Sequence, residues 1–191
     1  EASMSSGSSG SSPVVIDLFC GAGGLSEGLS QAGIRPVVGV DFDKHAVATY
    51  RHNHPGVPVI EGDVSEVTGE QLMQMAGTTD IDLIAGGPSC QGFSTHGKRM
   101  QDDPRNFLFK HFVRLVDEVR PKMLLMENVR GMLTYEKGAF RRQIEAAFQE
   151  IGYRTDFAQV VAADYGAPQM RHRILFIGTR IDDIKLSFPK P

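Results

Sequence analysis

The chain has 191 residues, of which 41% are hydrophobic and 23% are charged, and its formal net charge is −3. This length and composition are typical of one globular domain with a sizeable core. They exclude a protein built around a membrane span, because no apolar run is long enough to form one. They also argue against a protein that binds nucleic acid without help, since such proteins are usually strongly basic.

Cysteine usage indicates a reduced, cytoplasmic setting. The two cysteines, Cys20 and Cys90, lie far apart in the sequence and form neither a disulfide framework nor a metal-ligand cluster. We therefore expect no metal site. The first twelve residues read EASMSSGSSGSS, a Ser/Gly-rich stretch that we interpret as a disordered linker or tag. The folded domain is expected to span 13–191.

Short apolar runs alternate with longer amphipathic stretches along this domain. The apolar runs predict strands at 14–19, 36–41, 57–60, 81–87, 123–128, 154–161 and 173–179. Helices are predicted from the first glycine turn to about residue 32, from about residue 44, at 106–119 and near 138–150.

This alternation predicts an α/β fold with a mostly parallel sheet and helices on both faces. The last two strands are an exception to the parallel arrangement. The segment AADYGAPQMRH between them is too short for an easy helical crossover, so we expect them to pair antiparallel.

The stretch DLFCGAGGLSEGL (17–29) places Gly21, Gly23 and Gly24 between the first strand and the first helix. Glycines there allow a tight turn whose backbone amides approach a ligand at the helix N-terminus. The spacing lacks the third glycine of the dinucleotide fingerprint, which disfavours a nicotinamide cofactor. Taken alone, the pattern also fits a plain tight turn.

Acidic residues follow the next two strands. Asp41 ends the second strand, where a carboxylate can accept hydrogen bonds from ribose hydroxyls. Its neighbour Phe42 could lie against an adenine ring, and Asp63 after the third strand could accept a hydrogen bond from the adenine amine. The alternative is that Asp41 and Asp63 are helix N-caps. The ordered set favours a cofactor that contains a nucleoside.

A thiol and a carboxyl group follow the fourth and fifth strands. The run GGPSCQGFS displays Cys90 on a Gly-Pro-Ser turn, and the fifth strand ends in Glu127 and Asn128. These positions lie at the sheet edge where open α/β proteins bind their ligands. A protonated Glu127 could donate to a heterocycle nitrogen, but a buried carboxylate bound by backbone amides is the alternative.

These motifs together resemble those of the cytosine carbon-5 DNA methyltransferases, in family order across about 14–191. FCGAGGL, VDFD and GDV are similar to the family's S-adenosylmethionine motifs, and GGPSCQGFS is similar to its catalytic loop. RNFLF resembles the helix that closes on the cofactor, ENVRGM the Glu-Asn-Val motif and QMRHR the Gln-x-Arg-x-Arg motif. The resemblance implies a Rossmann-like, S-adenosylmethionine-dependent methyltransferase fold.

The resemblance also implies a cofactor pocket for S-adenosylmethionine. Its expected members are Phe19, Gly21, Gly23, Gly24, Leu25, Asp41, Phe42, Asp63, Val64, Ser89 and Leu108. Cys20 lies in a cofactor-loop position that the family fills with various small residues, so we interpret it as a packing residue.

The family chemistry implies a catalytic set in which Cys90, followed by Gln91 in the catalytic loop, adds to carbon 6 of a cytosine flipped out of double-stranded DNA. Glu127 is expected to hold ring nitrogen 3 and Asn128 to position the base or the loop. Arg173 is assigned to the cytosine carbonyl oxygen, and Arg171 to a phosphate or to Glu127. Carbon 5 then takes the methyl group.

Two departures from the family pattern affect these expectations. Ser89 stands where the family usually has proline, which adds a hydroxyl and loosens the loop. The variable target-recognition region and the final motifs are not found in the sequence. We therefore expect a truncated chain or one subunit of a two-chain bacterial enzyme of the cytoplasm or nucleoid, weakly active without a second polypeptide. An RNA cytosine methyltransferase and a non-catalytic S-adenosylmethionine-binding scaffold are the alternatives.

Overall fold

The computed structural model describes residues 12–89, 108–134 and 138–191. Strands from all three ranges form a seven-stranded sheet in the order β3-β2-β1-β4-β5-β7-β6. The strands are β1 Val15–Leu18, β2 Pro36–Asp41, β3 Val59–Glu61, β4 Leu83–Gly86, β5 Met123–Val129, β6 Arg154–Val161 and β7 His172–Thr179. All seven predicted strands are present. The third begins two residues later than predicted, because the Val57 N–H donates to the His54 carbonyl in a turn.

Strand direction follows the prediction. Strands β1 to β5 pair with parallel neighbours, whereas β7 runs antiparallel to both β5 and β6. The antiparallel pairing of the last two strands is therefore confirmed. Strand order reverses between β1 and β4, and a crevice at such a reversal is where open α/β sheets bind their ligands.

Helices connect most of the strands. They are α1 Gly24–Gln31, α2 Lys44–Asn53, α3 Gly69–Ala76, α4 Leu108–Val119, α5 Gly131–Thr134 and α6 Ala139–Glu150, with a 3-10 turn at Ala162–Tyr165. The sequence analysis did not predict α3, α5 or the 3-10 turn. Helix α3 has a local start signal that was available, since the Thr68 hydroxyl accepts a hydrogen bond from the Gln71 N–H. Within the described ranges, no helix has the length and apolarity needed to cross a membrane.

Two apolar clusters lie on opposite faces of the sheet, because neighbouring residues of a strand point to opposite sides. Ile16 and Val38 belong to the large cluster, which also contains side chains of α3, α4 and α6. Asp17 and Gly39, the next residues along β1 and β2, face α1 and α2 instead, where Tyr50 is fully buried. The sheet thus has helices on both faces, as predicted.

Helix α4 is strongly amphipathic and anchors the large cluster. Its buried residues are Phe109, Phe112, Leu115, Val116 and Val119. The Phe112 ring meets the Phe148 ring of α6 edge-on, with ring centroids 6.1 Å apart. Such aromatic pairs combine a large buried area with a favourable geometry.

The same helix holds the segment that follows β3. The Arg114 guanidinium donates to the carbonyl oxygens of Val64 and Val67, at 2.9 and 3.0 Å. Glu118, one turn later, accepts a hydrogen bond from the Gly69 N–H at the start of α3. Helix α4 therefore fixes the backbone immediately after Asp63.

Substituting Phe112→Ala is expected to lower the free energy of unfolding by about 3–5 kcal/mol, because a fully buried ring is replaced by a cavity. Urea denaturation monitored by circular dichroism measures the loss. Gln143→Ala on the exposed surface of α6 is the control and should change stability by less than about 0.5 kcal/mol. Equal losses in the two variants would contradict the position of α4 in the core.

Candidate functional site

A cavity of about 390 Å³ opens at the carboxyl ends of β1 to β4. Its lining consists of Phe19, Val40, Asp41, Phe42, Gly62, Asp63, Val64, Gly87, Ser89 and Leu108. Seven of these residues belong to the cofactor pocket predicted from the sequence. They come from four strand ends and from the start of α4, so the fold brings distant segments together as predicted. We call this space the nucleoside cavity.

The glycine turn, which contains Gly21, Gly23 and Gly24 between β1 and α1, lies beside the nucleoside cavity. It depends on left-handed backbone conformations. Gly21 has φ 54° and Gly23 has φ 96°, and Gly23 is the N-cap of α1. A side chain on Gly23 would overlap with the imidazole of His54, whose Nε2 lies 3.1 Å from the Gly23 carbonyl oxygen. Glycine at position 23 is therefore required both by the backbone conformation and by close packing.

Asp41 connects this turn to the end of β2. Its Oδ2 accepts a hydrogen bond from the Gly21 N–H at 2.8 Å, and its Oδ1 accepts one from the Asp43 N–H at 2.9 Å. Asp43, not Asp41, is the N-cap of α2, since its carboxylate accepts from His45 and Ala46. The alternative reading of Asp41 as a helix cap is therefore wrong.

Two further predicted residues sit at the rim of the nucleoside cavity. Phe42 is 74% exposed, which is unusual for a phenylalanine and leaves its ring accessible to a ligand. Asp63 is exposed and accepts the Ser65 N–H at 2.8 Å, which holds the pKa of its carboxyl below the usual value. It closes a local turn and does not cap α3, whose N-cap is Thr68.

A second cavity of about 500 Å³ adjoins the first and shares Phe19 and Gly87 with it. The complete lining is Asp17, Phe19, Cys20, Gly24, Leu25, Gly87, Glu127 and Arg171. We call it the reaction cavity. It brings the predicted residues Gly24 and Leu25 of the glycine turn together with Glu127 and Arg171 from the other half of the sheet.

Asp17 is a member of the reaction cavity that the sequence analysis missed. Its side chain is fully buried, and burial raises the pKa of its carboxyl to about 7. Oδ2 accepts a hydrogen bond from the Ser26 hydroxyl at 2.6 Å, whereas Oδ1 has no hydrogen-bond partner among the described residues. The signal was a single aspartate inside the apolar run VVIDLF, because buried carboxyl groups are rare in strand interiors.

Cys20 also borders this cavity, but its side chain is buried. It is 5% exposed and packs with Tyr50 and Val57 in the second core cluster. Burial raises the pKa of its thiol, so it remains protonated and unreactive. The interpretation of Cys20 as a packing residue is confirmed.

The predicted carboxyl group and arginines meet at the edge of the reaction cavity. Glu127 Oε1 accepts from Arg173 Nε at 2.5 Å and from Arg171 Nη2 at 3.4 Å. The antiparallel register of β5 with β7 brings these segments side by side, pairing Val129 with Arg173. The Oε2 atom of Glu127 faces Gly87, where a side-chain carbon would lie only 3.1 Å away.

Two members of the predicted catalytic set, Cys90 and Gln91, lie outside the described residues. The backbone just before them is described, since Asn128 Nδ2 donates to the Pro88 carbonyl at 3.0 Å and Ser89 lines the nucleoside cavity. Asn128 is 2% exposed. The end of β5 therefore holds the start of the segment that carries Cys90.

Substituting Gly23→Ala is expected to lower the free energy of unfolding by at least about 2 kcal/mol, because alanine is strained at φ 96° and overlaps with His54. Gly28→Ala is the matched control, since Gly28 lies inside α1 with open space around it, and should raise stability by about 0.5–1 kcal/mol. Urea denaturation of both variants measures the difference. A tolerated alanine at position 23 would contradict the geometry of the turn.

The buried Asp17 carboxyl is expected to make stability depend on pH. Its pKa is about 7 in the folded chain and near 3.8 in the unfolded chain, so the folded state binds the extra proton between these values. The contribution of Asp17 to the free energy of unfolding should therefore fall by about 3 kcal/mol as pH rises from 4 to 7.

Asp17→Asn should remove this contribution while leaving those of the other titrating groups. Subtracting the two pH profiles of the free energy of unfolding, measured by urea denaturation, isolates the contribution of Asp17. Superimposable profiles would show that the Asp17 pKa is not raised by folding.

Comparisons with known proteins identify the family. The family model described as C-5 cytosine-specific DNA methylase matches residues 14–191. The chain is 42% identical over 179 residues to the type II methyltransferase M1.HphI of Haemophilus parahaemolyticus, covering 92% of this chain and 48% of that protein. It is 43% identical over 183 residues to the type II methyltransferase M.XorII of Xanthomonas oryzae pv. oryzae, covering 94% and 43%.

A solved structure agrees with these relatives. A crystal structure described as a DNA modification methyltransferase of an Escherichia coli prophage is 40% identical, with a TM-score of 0.77 over 88% of this chain and 47% of that one. The chain thus spans less than half the length of these three relatives. The sheet, with its helices on both faces, is a methyltransferase fold. The chain belongs to the C-5 cytosine-specific DNA methylase family.

Proposed function

We propose that this chain carries the cofactor-binding and catalytic part of an enzyme that transfers a methyl group from S-adenosylmethionine to carbon 5 of cytosine in DNA. The observation that carries the proposal is the adjacency of the two cavities, which share Phe19 and Gly87. One is lined by groups suited to a nucleoside, and the other by a carboxyl and guanidinium pair suited to a heterocyclic base. A methyl donor and its acceptor would thus meet at the shared wall.

The residues present fit S-adenosylmethionine. Asp41 would accept hydrogen bonds from the ribose hydroxyls, Phe42 would lie against the adenine ring, and Asp63 would accept from the adenine amine. Oδ1 of Asp17, which has no hydrogen-bond partner among the described residues, would accept a hydrogen bond from the ammonium group of the methionine part. When bound, the cofactor supplies an electrophilic methyl group on its sulfonium.

The remaining pocket residues would shape this site. Gly21, Gly23 and Gly24 let the backbone approach the ligand at the N-terminus of α1. A further set would contribute apolar wall and loop contacts: Phe19, Leu25, Val64, Ser89 and Leu108. Arg114 supports one wall, because it binds the Val64 carbonyl from behind.

The chemistry we propose begins with the Cys90 thiolate, which forms a bond to carbon 6 of the cytosine. Glu127 holds and protonates ring nitrogen 3, so that electron density moves to carbon 5. Carbon 5 then takes the methyl group and gives its own proton to a base. The carbon–sulfur bond breaks to release the Cys90 thiolate, and nitrogen 3 returns its proton to Glu127. Carbon 6 is not accessible in a stacked helix, so the base must be flipped out of the duplex.

The arginines and Asn128 would position these groups. Arg173 would bind the cytosine carbonyl oxygen and orient Glu127, with which it forms an ion pair, and Arg171 would support Glu127 or a DNA phosphate. Asn128 would fix the loop that carries Cys90 and Gln91, since it binds the carbonyl of Pro88.

We further propose that recognition of the DNA sequence comes from residues outside this folded domain, which extends from 13 to 191. The net charge of −3 provides little neutralisation of phosphates, which is the main source of non-specific DNA affinity. A second polypeptide or a further segment would then supply the basic surface and the target-recognition contacts. The chain alone would methylate DNA weakly.

Covalent trapping tests the proposed chemistry. The chain is purified from its native source together with any polypeptide that co-purifies. It is then incubated with S-adenosylmethionine and duplex DNA containing 5-fluorocytosine. Fluorine replaces the carbon-5 proton and cannot be removed by a base, so the carbon–sulfur bond does not break. A stable adduct of this chain with DNA is therefore expected on a denaturing gel. Cys90→Ser should abolish the adduct, and the matched control Cys20→Ala should retain it.

Each other outcome contradicts a part of the proposal. An adduct that survives Cys90→Ser would assign the nucleophile elsewhere. Failure to form any adduct, in a preparation that binds S-adenosylmethionine, would indicate a binding scaffold. Methyl transfer to transfer RNA instead of duplex DNA would replace the proposed substrate.

A further inference from the structure

A chain of buried hydrogen bonds lies behind the reaction cavity. The Ser26 hydroxyl donates to Asp17 Oδ2 at 2.6 Å, and the hydroxyls of Ser26 and Tyr50 are 2.8 Å apart. All three side chains are fully buried. They come from β1, α1 and α2, so this chain of bonds, which we call the Tyr50–Ser26–Asp17 relay, joins three elements.

The direction of the relay follows from the donors available. A serine hydroxyl has one hydrogen, and Ser26 uses it on the Asp17 carboxylate. Tyr50 must then donate to Ser26. Burial raises the pKa of the Tyr50 phenol to about 12, so it keeps its proton at physiological pH. A donor that itself accepts a hydrogen bond is a stronger donor, so Tyr50 strengthens the bond from Ser26 to Asp17.

The backbone makes room for the relay at one point. A side chain on Gly39 of β2 would lie 3.3 Å from Cζ of Tyr50 and 3.2 Å from Sγ of Cys20. Both distances are shorter than an ordinary van der Waals contact, so a side chain at residue 39 would press on the Tyr50 ring. This close packing leaves Tyr50 little freedom and fixes the position of its hydroxyl.

The relay ends on a carboxyl group with one free acceptor. Oδ2 of Asp17 is held by Ser26, while Oδ1 has no partner among the described residues and belongs to a residue that lines the reaction cavity. We propose that Tyr50 and Ser26 are positioning residues that favour the ionised form of Asp17 and aim it at the reaction cavity, and so set the pH range over which the cofactor's ammonium group binds. This inference rests on the proposed use of S-adenosylmethionine.

The other groups around Asp17 act mainly against ionisation. Burial and the charge of Asp41 on β2 raise its pKa, whereas the Ser26 hydroxyl lowers it. The Cys20 thiol after β1 is neutral, and across the reaction cavity Glu127 of β5 is paired with Arg171 and Arg173. Arg35 acts on the Tyr50 phenol. The Ser26 hydroxyl of the relay thus favours the charged form of Asp17, and the Ser26 backbone N–H adds a smaller effect in the same direction.

The first arm of the test uses the chain without ligand. The Asp17 carboxyl is titrated by ¹³C NMR in the parent, in Tyr50→Phe and in Ser26→Ala. The midpoint is expected near pH 7 in the parent, higher in Tyr50→Phe and highest in Ser26→Ala, because each change weakens donation to the carboxylate.

Two variants control for non-specific effects on the fold. Ser30→Ala removes a hydroxyl of α1 that donates to the Ser26 carbonyl, not to Asp17. Tyr153→Phe removes a buried hydroxyl that donates to the Pro121 carbonyl at a remote position. Neither should move the midpoint. Unchanged midpoints in Tyr50→Phe and Ser26→Ala would overturn the inference.

The second arm measures ligand binding by calorimetry between pH 6 and 8.5. S-adenosylhomocysteine carries the ammonium group, whereas methylthioadenosine lacks it. The affinity for S-adenosylhomocysteine should fall by up to tenfold for each pH unit below the Asp17 midpoint, and this dependence should move to higher pH in Tyr50→Phe and Ser26→Ala. The affinity for methylthioadenosine should not change with pH in this way.

The two proposals fail in different ways. If the parent binds neither compound at any pH, the proposed function is wrong, and the NMR titration still decides whether the relay controls Asp17. If S-adenosylhomocysteine binds with the same pH dependence in the parent, in Tyr50→Phe and in Ser26→Ala, the proposed function stands and the relay inference is wrong.

Discussion

The close packing of the glycine turn against the end of α2 is the constraint on which the site depends. Gly23 takes a left-handed conformation and has the His54 ring directly behind its Cα, so the turn cannot move back from the sheet edge. On its other side, the Gly21 N–H is bound by Asp41 of the neighbouring strand. Phe19, just before the turn, forms the wall that the two cavities share. The position of this short turn therefore fixes both cavities relative to the strand ends.

Polar groups are concentrated on one face of the sheet, and this distribution has an energetic cost. Asp17 lies fully buried between apolar neighbours on β1, where an ionised carboxyl is unfavourable. The Ser26 and Tyr50 hydroxyls offset part of that cost. The opposite face carries the large apolar cluster with α3, α4 and α6, which supplies most of the buried area. The buried polar residues Asp17, Ser26 and Tyr50 thus lie on the face opposite the large apolar cluster.

The nucleoside cavity and the reaction cavity are stabilised by different interactions. The nucleoside cavity is built from strand ends, and Arg114 of α4 fixes its wall through the carbonyls of Val64 and Val67. The reaction cavity depends on ion pairs between Glu127 and two arginines. Arg171 lies directly before β7, and Arg173 is the second residue of β7. Because β7 is antiparallel, its start lies beside the end of β5, and both reach the ligand edge of the sheet. A parallel β7 would carry its first residues to the opposite edge.

The sequence alone determined the positions of the seven strands along the chain, the antiparallel final pair and most of the residues that line the nucleoside cavity, because strand periodicity and residues at strand ends are local signals. It did not reveal Asp17, which is buried and has one oxygen without a partner among the described residues, nor Asp43 as the cap of α2. Only the tertiary structure decided that Glu127 lies between Arg171 and Arg173 and that Asn128 holds the backbone before Cys90. These contacts join segments some 40 residues apart, and their geometry follows from strand register and side-chain burial, which arise only when the sheet is assembled.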